Sequence, residues 1–239
     1  GAHGLVISGS AFDVKVGGTA PNEGNIIAYH SQNGIFLANE RGPTIPPGIE
    51  ISGNSIFNNG ALGIDLSPFI LDTNLDSGDG LTQNDDFDAD IGPNSLQNFP
   101  VITNVRRTRS LTISGTFNST PNTNSFRIEF FSNTVCNGDQ AGNAQSTDHG
   151  EGEFFLGSTI VNTDANGVAT FEVDLPTREG TFITATATDP NGQTSEFSQC
   201  FELESLALPA LPTGAKITLI ILLLCLSVFI SYKRFNSGA

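Results

Sequence analysis

Two carboxylates are the first candidates for catalytic residues. They occupy the same position in two short runs that share the pattern glycine-isoleucine-acid-apolar. Glu50 lies in the run GIEI (48–51) and Asp65 in the run GIDL (63–66). Neighbouring strands lie about 5 Å apart, so stacked runs would bring the side chains to the separation that suits a retaining glycosidase pair. Alternation within each run points both side chains outward, so two solvated surface carboxylates are the alternative interpretation. The absence of a positioned arginine or histidine beside the pair favours this alternative.

An aspartate-rich stretch from residue 72 to 90 supplies candidate metal ligands, with seven carboxylates and no lysine or arginine. Calcium takes about six to eight oxygen ligands, and alternating oxygen side chains suit it. Neither set of alternating ligands matches an EF-hand loop, and a solvated linker rich in Asx turns is the alternative. The density of like charge favours a structural calcium ion. The two sets are Asp72, Asn74 and Asp76, and Asp86, Asp88 and Asp90.

The elements that must position these side chains are short strands that recur in residues 1–67. The pattern glycine-apolar-x-apolar begins at Gly4, Gly34 and Gly63, at intervals of 30 and 29 residues, and residues 25–27 match residues 54–56. A strand of three or four residues cannot offset its own ordering entropy, so copies must stack. The pattern predicts a parallel β-helix with one continuous apolar core. A flat antiparallel meander is the alternative, but its turns would recur every 8–12 residues or so.

The pattern of residues 99–203 predicts a second domain, which a connector at 68–98 joins to the first. Seven alternating runs separated by Asn, Gly, Pro and Asp turns are typical of an immunoglobulin-like β-sandwich. In residues 182–188 threonine alternates with apolar residues, which predicts a half-buried strand. The predicted strands are 101–105, 111–117, 126–132, 154–162, 169–175, 182–189 and 195–202.

Four segments, at residues 17–28, 53–66, 84–102 and 182–200, resemble the C-terminal half of bacterial secreted right-handed parallel β-helix repeat proteins. In that family the last rungs pass through an Asn/Asp-rich connector into an immunoglobulin-like sandwich. The resemblance implies an all-β fold with this order of parts, and we expect the sandwich to cap the coil. It implies no particular activity, because many members have none known.

The matched family segments also carry cysteines at the places of Cys136 and Cys200, while Cys225 lies in the apolar tail. In an exported protein the resemblance therefore implies a disulfide between the first two residues. Two free thiols are the alternative.

The C-terminal segment has the layout of a membrane anchor or sorting tail. A Pro-rich linker at 204–216 precedes an apolar run at 217–232 and a basic tail at 233–239. A helix of this run would reach about 24 Å, short of a hydrocarbon core of about 30 Å, so its flanking lysines would snorkel or the bilayer would thin a little. Basic residues behind the run favour an ectodomain outside the membrane, and a buried core helix is the alternative. The membrane-flanking residues are Lys216, Lys233 and Arg234.

A four-residue stretch of the linker resembles the sortase motif Leu-Pro-any-Thr-Gly with its middle residue missing. It also resembles the start of the Ile-Pro-Thr-Leu tails of Gram-negative exported proteins, although its glycine replaces the leucine. Both resemblances imply a tail that can be cleaved in the mature protein. The residues are Leu211, Pro212, Thr213 and Gly214.

The net negative charge of the chain limits the classes of molecule that it can bind. The chain has 10 basic and 25 acidic residues and a formal charge of −15, and three of the basic residues lie in the tail. Such a surface repels a nucleic-acid backbone, so we expect no nucleic-acid partner. The sequence contains no Gly-x-Ser-x-Gly motif of a catalytic serine, no glycine-rich loop that would bind phosphate, and no cluster of cysteine and histidine at the spacing of a zinc site.

Two hypotheses for function follow. The first is a non-enzymatic structural or adhesion-type protein, exported and tethered by its tail, that presents loops such as 40–47 to surface glycans or proteins. The alternative is a polysaccharide-acting β-helix enzyme, a lyase or hydrolase, whose catalytic rungs lie mostly upstream. The sequence begins in mid-repeat and has no methionine, so we expect further rungs and an export signal before Gly1.

Overall fold

The computed structural model describes residues 3–8, 11, 13–38, 48–68, 78–136 and 149–204. The chain divides into two compact units, Gly1–Leu203 and Glu204–Ala239, and only Glu204 of the second is among the described residues. The described part is all-β, as predicted, with one short helical turn at Pro93–Leu96. None of the described residues belongs to a helix with the length and apolar character needed to cross a bilayer. The predicted membrane run 217–232 and the loop 40–47 lie outside the described residues.

The described residues from 3 to 68, here called the repeat part, form short strands that pair in parallel. The three sheets have the strand orders β1-β4-β7, β2-β5 and β3-β6. No strand of this part exceeds four residues, so each depends on the copy stacked against it. The strands are β1 (Leu5–Ser8), β2 (Val14–Gly17), β3 (Ile26–Ala28), β4 (Ile35–Ala38), β5 (Ile49–Ser52), β6 (Ser55–Phe57) and β7 (Ile64–Ser67).

The register of pairing follows the sequence repeat. Leu5 pairs with Ile35 and Ile35 with Ile64, which reproduces the predicted intervals of 30 and 29 residues. The predicted match between residues 25–27 and 54–56 also holds, because β3 pairs with β6. Strand β2 was not predicted as the partner of β5. It lacks the leading glycine, and the loop 40–47 lengthens the interval between the two strands to 35 residues.

One apolar core runs through the repeat part. Leu37 and Leu66, which pair in the sheet β1-β4-β7, belong to it together with Ile51 of the sheet β2-β5, with exposed fractions of 1, 0 and 3%. Beyond the last repeat the same core continues into Phe131 and Phe197. The predicted single core is therefore confirmed, and it extends into the residues that follow.

The described residues from 99 to 203, here called the two-sheet part, form two antiparallel sheets over a second core. Their strand orders are β12-β9-β8 and β11-β10-β13-β14, and Ile113, Ile128 and Ile183 are fully buried between them. Six strands match the predicted ones to within three residues at either end. The strands are β8 (Val101–Arg107), β9 (Ser110–Asn118), β10 (Phe126–Asn133), β11 (Phe154–Val161), β12 (Val168–Pro176), β13 (Phe182–Thr188) and β14 (Phe201–Glu202).

The seventh predicted strand, 195–202, is wrong over most of its length. Only Phe201–Glu202 pairs regularly with β13. Upstream, Ser195 and Ser198 bond β13 through both backbone and side chain, and their hydroxyls accept the amides of Ala187 and Ala185 at 2.9 Å. The side chains thus occupy ladder positions that a regular strand gives to carbonyls.

The prediction that β13 is half-buried is also wrong. Its threonine face is as buried as its apolar face, and Thr184, Thr186 and Thr188 are at most 2% exposed. Thr184 donates to the carbonyl of Glu151 at 2.6 Å, and Thr188 bonds Thr194 at 3.0 Å. This sheet is covered on both faces, by its own core on one side and by the repeat part on the other.

A disulfide joins Cys136, just after β10, to Cys200, just before β14, with Cα atoms 6.2 Å apart. This is the pair implied by the family resemblance. It closes a loop of 64 residues and fixes the short last strand to the end of a central one.

Candidate functional site

The structure separates the two carboxylates that the sequence suggested as a pair. Glu50 lies on β5 in the sheet β2-β5, and Asp65 lies on β7 in the sheet β1-β4-β7. The prediction that they stack on neighbouring strands is therefore wrong. Equivalent positions in two runs do not imply one sheet, because each repeat contributes strands to several sheets.

Glu50 is held between two cations. Lys15, its register partner on β2, lies 2.9 Å from Oε2, and Arg127 of β10 lies 2.7 Å from Oε1. Burial alone would raise the pKa of Glu50, but the hydrogen bonds from Lys15 and Arg127 outweigh it and lower the pKa. A carboxylate so paired stays charged and is engaged with protein groups at both oxygens. The expectation that no arginine accompanies Glu50 is wrong, because its arginine comes from a part of the chain distant in sequence.

Asp65 is buried rather than solvated. It is 1% exposed, and Asn33 of the preceding repeat donates to its Oδ2 at 2.6 Å. All four residues of β7 are buried, because the connector covers this strand. Thr82 of the connector donates to the Leu66 carbonyl at 3.4 Å, and Gly78 lies against the Asp65 side chain. The interpretation of Asp65 as a surface carboxylate is therefore wrong.

Three other glutamates, all from the two-sheet part, lie where the last repeat ends. Glu129 accepts the amide of Gly53 just after β5 at 3.0 Å, and Glu196 accepts the amide of Leu66 in β7 at 2.9 Å. Glu151 accepts both the backbone amide and the side-chain amide of Asn59, just after β6, at 3.1 and 2.7 Å. Each sheet of the repeat part thus ends against one carboxylate. The three side chains are 0, 2 and 3% exposed for Glu129, Glu196 and Glu151.

Other groups complete the cover of the last repeat. Asn94 accepts the amide of Ile49 at 2.8 Å, and Thr194 accepts that of Ile51 at 2.9 Å. Ile56 and Gly152 exchange two backbone hydrogen bonds of 2.8 Å. An open strand edge presents unpaired donors and acceptors, which cost free energy when buried and promote aggregation when exposed. We call this contact between β5, β6 and β7 and the two-sheet part the junction.

Burial of the junction away from solvent raises the pKa values of two of its carboxylates. Burial raises the pKa of Glu196 well above its usual range, and the nearby Asp65 adds to this. Burial also raises the pKa of Glu129, against the hydrogen bond from Gly53 and the charge of Arg127, whose Nε lies 3.0 Å from Oε1. Raised carboxylate pKa values are common in active sites. Here the carboxylates face backbone amides, and their near-complete burial leaves no access for a substrate.

The sequence contains a signal for the burial of Glu129. Adjacent side chains of a strand point to opposite faces, so the neighbouring pair Phe130 and Phe131 indicates a strand that is buried on both faces. A charged residue within such a strand must itself be buried and paired. Glu151 and Glu196 lie outside the regular strands and have no comparable local signal.

The described calcium candidates are divided between protein contacts and solvent. Asp88 accepts the amide of Asn98 at 2.8 Å and the hydroxyl of Ser119 at 2.9 Å, while Asp86 and Asp90 are exposed. Burial raises the pKa of Asp88 to about 6, against these hydrogen bonds. Residues 3–8, 13–38, 48–68, 78–136 and 149–204 contain no group of three Asp, Glu, His or Cys side chains placed to hold a metal.

Several predicted site residues cannot be placed, because they lie outside the described part of the chain. They are the first calcium set, Asp72, Asn74 and Asp76; the sorting stretch, Leu211, Pro212, Thr213 and Gly214; and the flanking residues Lys216, Lys233 and Arg234.

Compared with models of known protein families, the chain matches none. Its function must therefore be argued from the junction and from the candidate residues themselves.

Proposed function

We propose that this chain is a non-enzymatic structural or adhesion-type protein of the cell surface. In this proposal the repeat part is the end of a right-handed parallel β-helix, and the two-sheet part is an immunoglobulin-like sandwich that closes it. Parallel pairing at intervals of 29 and 30 residues supports the first assignment. The strand orders β12-β9-β8 and β11-β10-β13-β14 support the second, since they divide seven antiparallel strands between two sheets.

The observation that carries the proposal is the use of the buried carboxylates. Glu129, Glu151 and Glu196 accept backbone amides of the last repeat, and Glu50 is engaged by two cations. A general acid or base must reach a substrate, and a nucleophile needs a free oxygen in a cleft. These side chains instead join two parts of one body. Such use suits a rigid spacer better than a catalyst.

The tether is tested by locating the protein in a bacterial host. The full chain, placed behind an export signal with an N-terminal epitope, is compared with a variant that ends at residue 204. We expect the full chain to sediment with the envelope and its epitope to be removed by external protease, while the shortened chain is released. Equal release of both, or an epitope protected in intact cells, would contradict the proposal.

Enzymatic activity is tested with the double variant Glu50→Gln/Asp65→Asn. The proposal expects no depolymerisation of pectin, alginate or xylan by the native chain, measured as new reducing ends or unsaturated products. Activity that is present in the native chain and lost in the double variant would establish the polysaccharide-acting enzyme instead.

We also propose a structural calcium ion in the stretch 72–90, supported by its excess of carboxylates and absence of basic residues. The test is the thermal midpoint of the full chain in calcium, in magnesium and in chelator. A midpoint that rises in calcium alone supports the ion. Equal midpoints in calcium and chelator would remove it.

A further inference from the structure

A cavity of about 480 Å³ opens where the connector crosses the edge of the two-sheet part. It lies between the first residues of β8 and the last strand β14. Its size is within the range of small-ligand sites in proteins, about 300 to 1,000 Å³.

Two of the residues that line the cavity are aromatic, almost fully buried and fixed in place. Phe99 and His149 are 7 and 9% exposed, and their rings meet edge to face with centroids 4.7 Å apart. The His149 Nδ1 lies 2.8 Å from the carbonyl of Phe197, which holds the imidazole in place. Asn84 bonds both the amide and the carbonyl of Phe99, at 2.9 and 2.8 Å. This part of the cavity wall is therefore formed in advance of any ligand.

The rim carries polar side chains that are not used by the fold. Gln83, Gln199 and Glu202 are exposed, and none of them makes a side-chain hydrogen bond with the described residues. Gln199 is bridged to His149 through the backbone, and Cys200 beside it is held by the disulfide. The backbone below these side chains is thus anchored, so a ligand would have to order only the side chains themselves.

We propose that this cavity binds a neutral sugar residue, as the end of a glycan chain. A sugar presents C–H groups that pack on apolar side chains such as Val101, which lines the cavity and is 48% exposed, and hydroxyls that both donate and accept. The amides of Gln83 and Gln199 can do both in return, and the carboxylate of Glu202 can accept from hydroxyls. No lysine or arginine is among the described residues that line the cavity, and the chain carries a formal charge of −15. Anionic sugars are therefore disfavoured.

This inference rests on the adhesion-type role proposed above, to which it gives a class of ligand. The two can fail separately, because envelope attachment needs no sugar and sugar binding needs no tether.

The experiment uses the full chain, kept in solution with a detergent that has no sugar headgroup. Maltose, cellobiose, lactose and N,N′-diacetylchitobiose are tested for saturation transfer from the protein by NMR, and any that respond are titrated by calorimetry. We expect saturable binding of at least one, weakened about tenfold or more in Gln199→Ala and in Glu202→Ala, as expected for loss of a bond to a buried hydroxyl.

Matched controls are Gln193→Ala and Glu179→Ala, which change the same residue types outside the cavity lining. Both should bind as the native chain does. Glucosamine, which carries a positive charge, is the competing ligand. Binding of none of the neutral sugars, binding unchanged in the cavity variants, or binding of glucosamine alone would each overturn the proposal.

Discussion

Asparagine side chains join one repeat to the next at the scale of single residues. Asn54 accepts the backbone amide of Asn25 at 2.9 Å and donates to the carbonyl of Val16 at 2.7 Å. Asn33 accepts the amide of Leu62 at 2.9 Å, and Asn59 accepts that of His30 at 3.2 Å. The amides of Asn25, His30 and Leu62 lie at bends, where no strand partner is available, and the Val16 carbonyl lies within β2. The repeat therefore needs an amide there rather than a merely polar residue.

Replacement of Asn54 by alanine should destabilise the protein by about 2–4 kcal/mol, because it leaves the buried carbonyl of Val16 and the partly buried amide of Asn25 without partners. Denaturant unfolding measures the change. Asn104→Ala is the control, since Asn104 is exposed on β8 and its side chain makes no hydrogen bond with the described residues. Its effect should stay within about 0.5 kcal/mol. Equal effects of the two variants would contradict the role of Asn54.

Asp88 should make stability depend on pH. Its pKa in the folded chain is about 6, above the ordinary 3.8, so the folded state binds the proton more tightly than the unfolded state. The stability linked to Asp88 is then fully present below pH 3.8 and is lost as the pH rises to about 6. At 1.36 kcal/mol per pKa unit, the loss is at most about 3 kcal/mol.

The variant Asp88→Asn tests this dependence, because asparagine resembles the protonated acid and does not titrate. Urea unfolding at intervals between pH 3.5 and 7 should show a smaller loss of stability with rising pH in the variant than in the native chain. Equal slopes in the two proteins would show that Asp88 titrates with an ordinary pKa.

Sequence reasoning at this scale found the residue types that matter but not their contacts. Glu50 and Asp65 were identified as special, and both are engaged in specific pairs. Their partners Arg127 and Asn33 lie 77 and 32 residues away, and no local pattern connects them. The register of β7 on β4 had to be known before the burial of Asp65 could be inferred.

The ion pair between a side chain of β10 and a side chain of β5 is the clearest contact between elements. Arg127 of β10 bonds Glu50 of β5 at 2.7 Å and the buried Glu129 at 3.0 Å. Lys15 bonds the same Glu50, but its side chain is 70% exposed, whereas that of Arg127 is 21% exposed. The two cations therefore offer a matched comparison at one carboxylate.

Arg127→Met should destabilise the chain by about 3–5 kcal/mol, because it leaves the charge of Glu129 buried without its cation. Lys15→Met should cost no more than about 1 kcal/mol, as exposed ion pairs do. Chemical denaturation of both variants at one pH gives the comparison. A larger effect at Lys15 than at Arg127 would reverse the account of this contact.

The disulfide connects two secondary-structure elements, because it joins the short β14 to the end of β10. Replacement of Cys136 and Cys200 by serine should destabilise the protein by about 4 kcal/mol, the chain-entropy value for a loop of 64 residues. Guanidinium unfolding of the variant and of the native chain tests this. An unchanged midpoint would mean that the cross-link does not constrain the unfolded chain.

Strands were predicted correctly where alternation of polar and apolar residues was sufficient to identify them. The prediction failed where another part of the chain covers a face that alternation assigns to solvent. Alternating runs predicted six strands of the two-sheet part. The threonine face of β13 looked solvent-facing because alternation normally indicates one wet face. It is covered by the repeat part, and threonine can be buried there because its hydroxyls find partners such as the Glu151 carbonyl.

At the scale of the whole molecule, the order of the parts was predictable and their contact was not. Composition and period separate a repeat part from a two-sheet part, and the expected cap is found at the junction. Its chemistry depends on residues between Glu129 and Glu196 meeting strands that end near Leu66. Contacts across such sequence distances leave no periodic trace. They make the two parts one compact unit, which should unfold in a single transition.

The central claim is that the two-sheet part caps the repeat part through carboxylates that accept its last backbone amides. Native-state hydrogen exchange of the amides of Gly53, Asn59 and Leu66, followed by NMR, tests it most directly. The account predicts that all three exchange only on global unfolding, as slowly as the Ile128 amide in the centre of β10. Exchange of these amides at the rate of an unstructured peptide, while Ile128 stays protected, would contradict it.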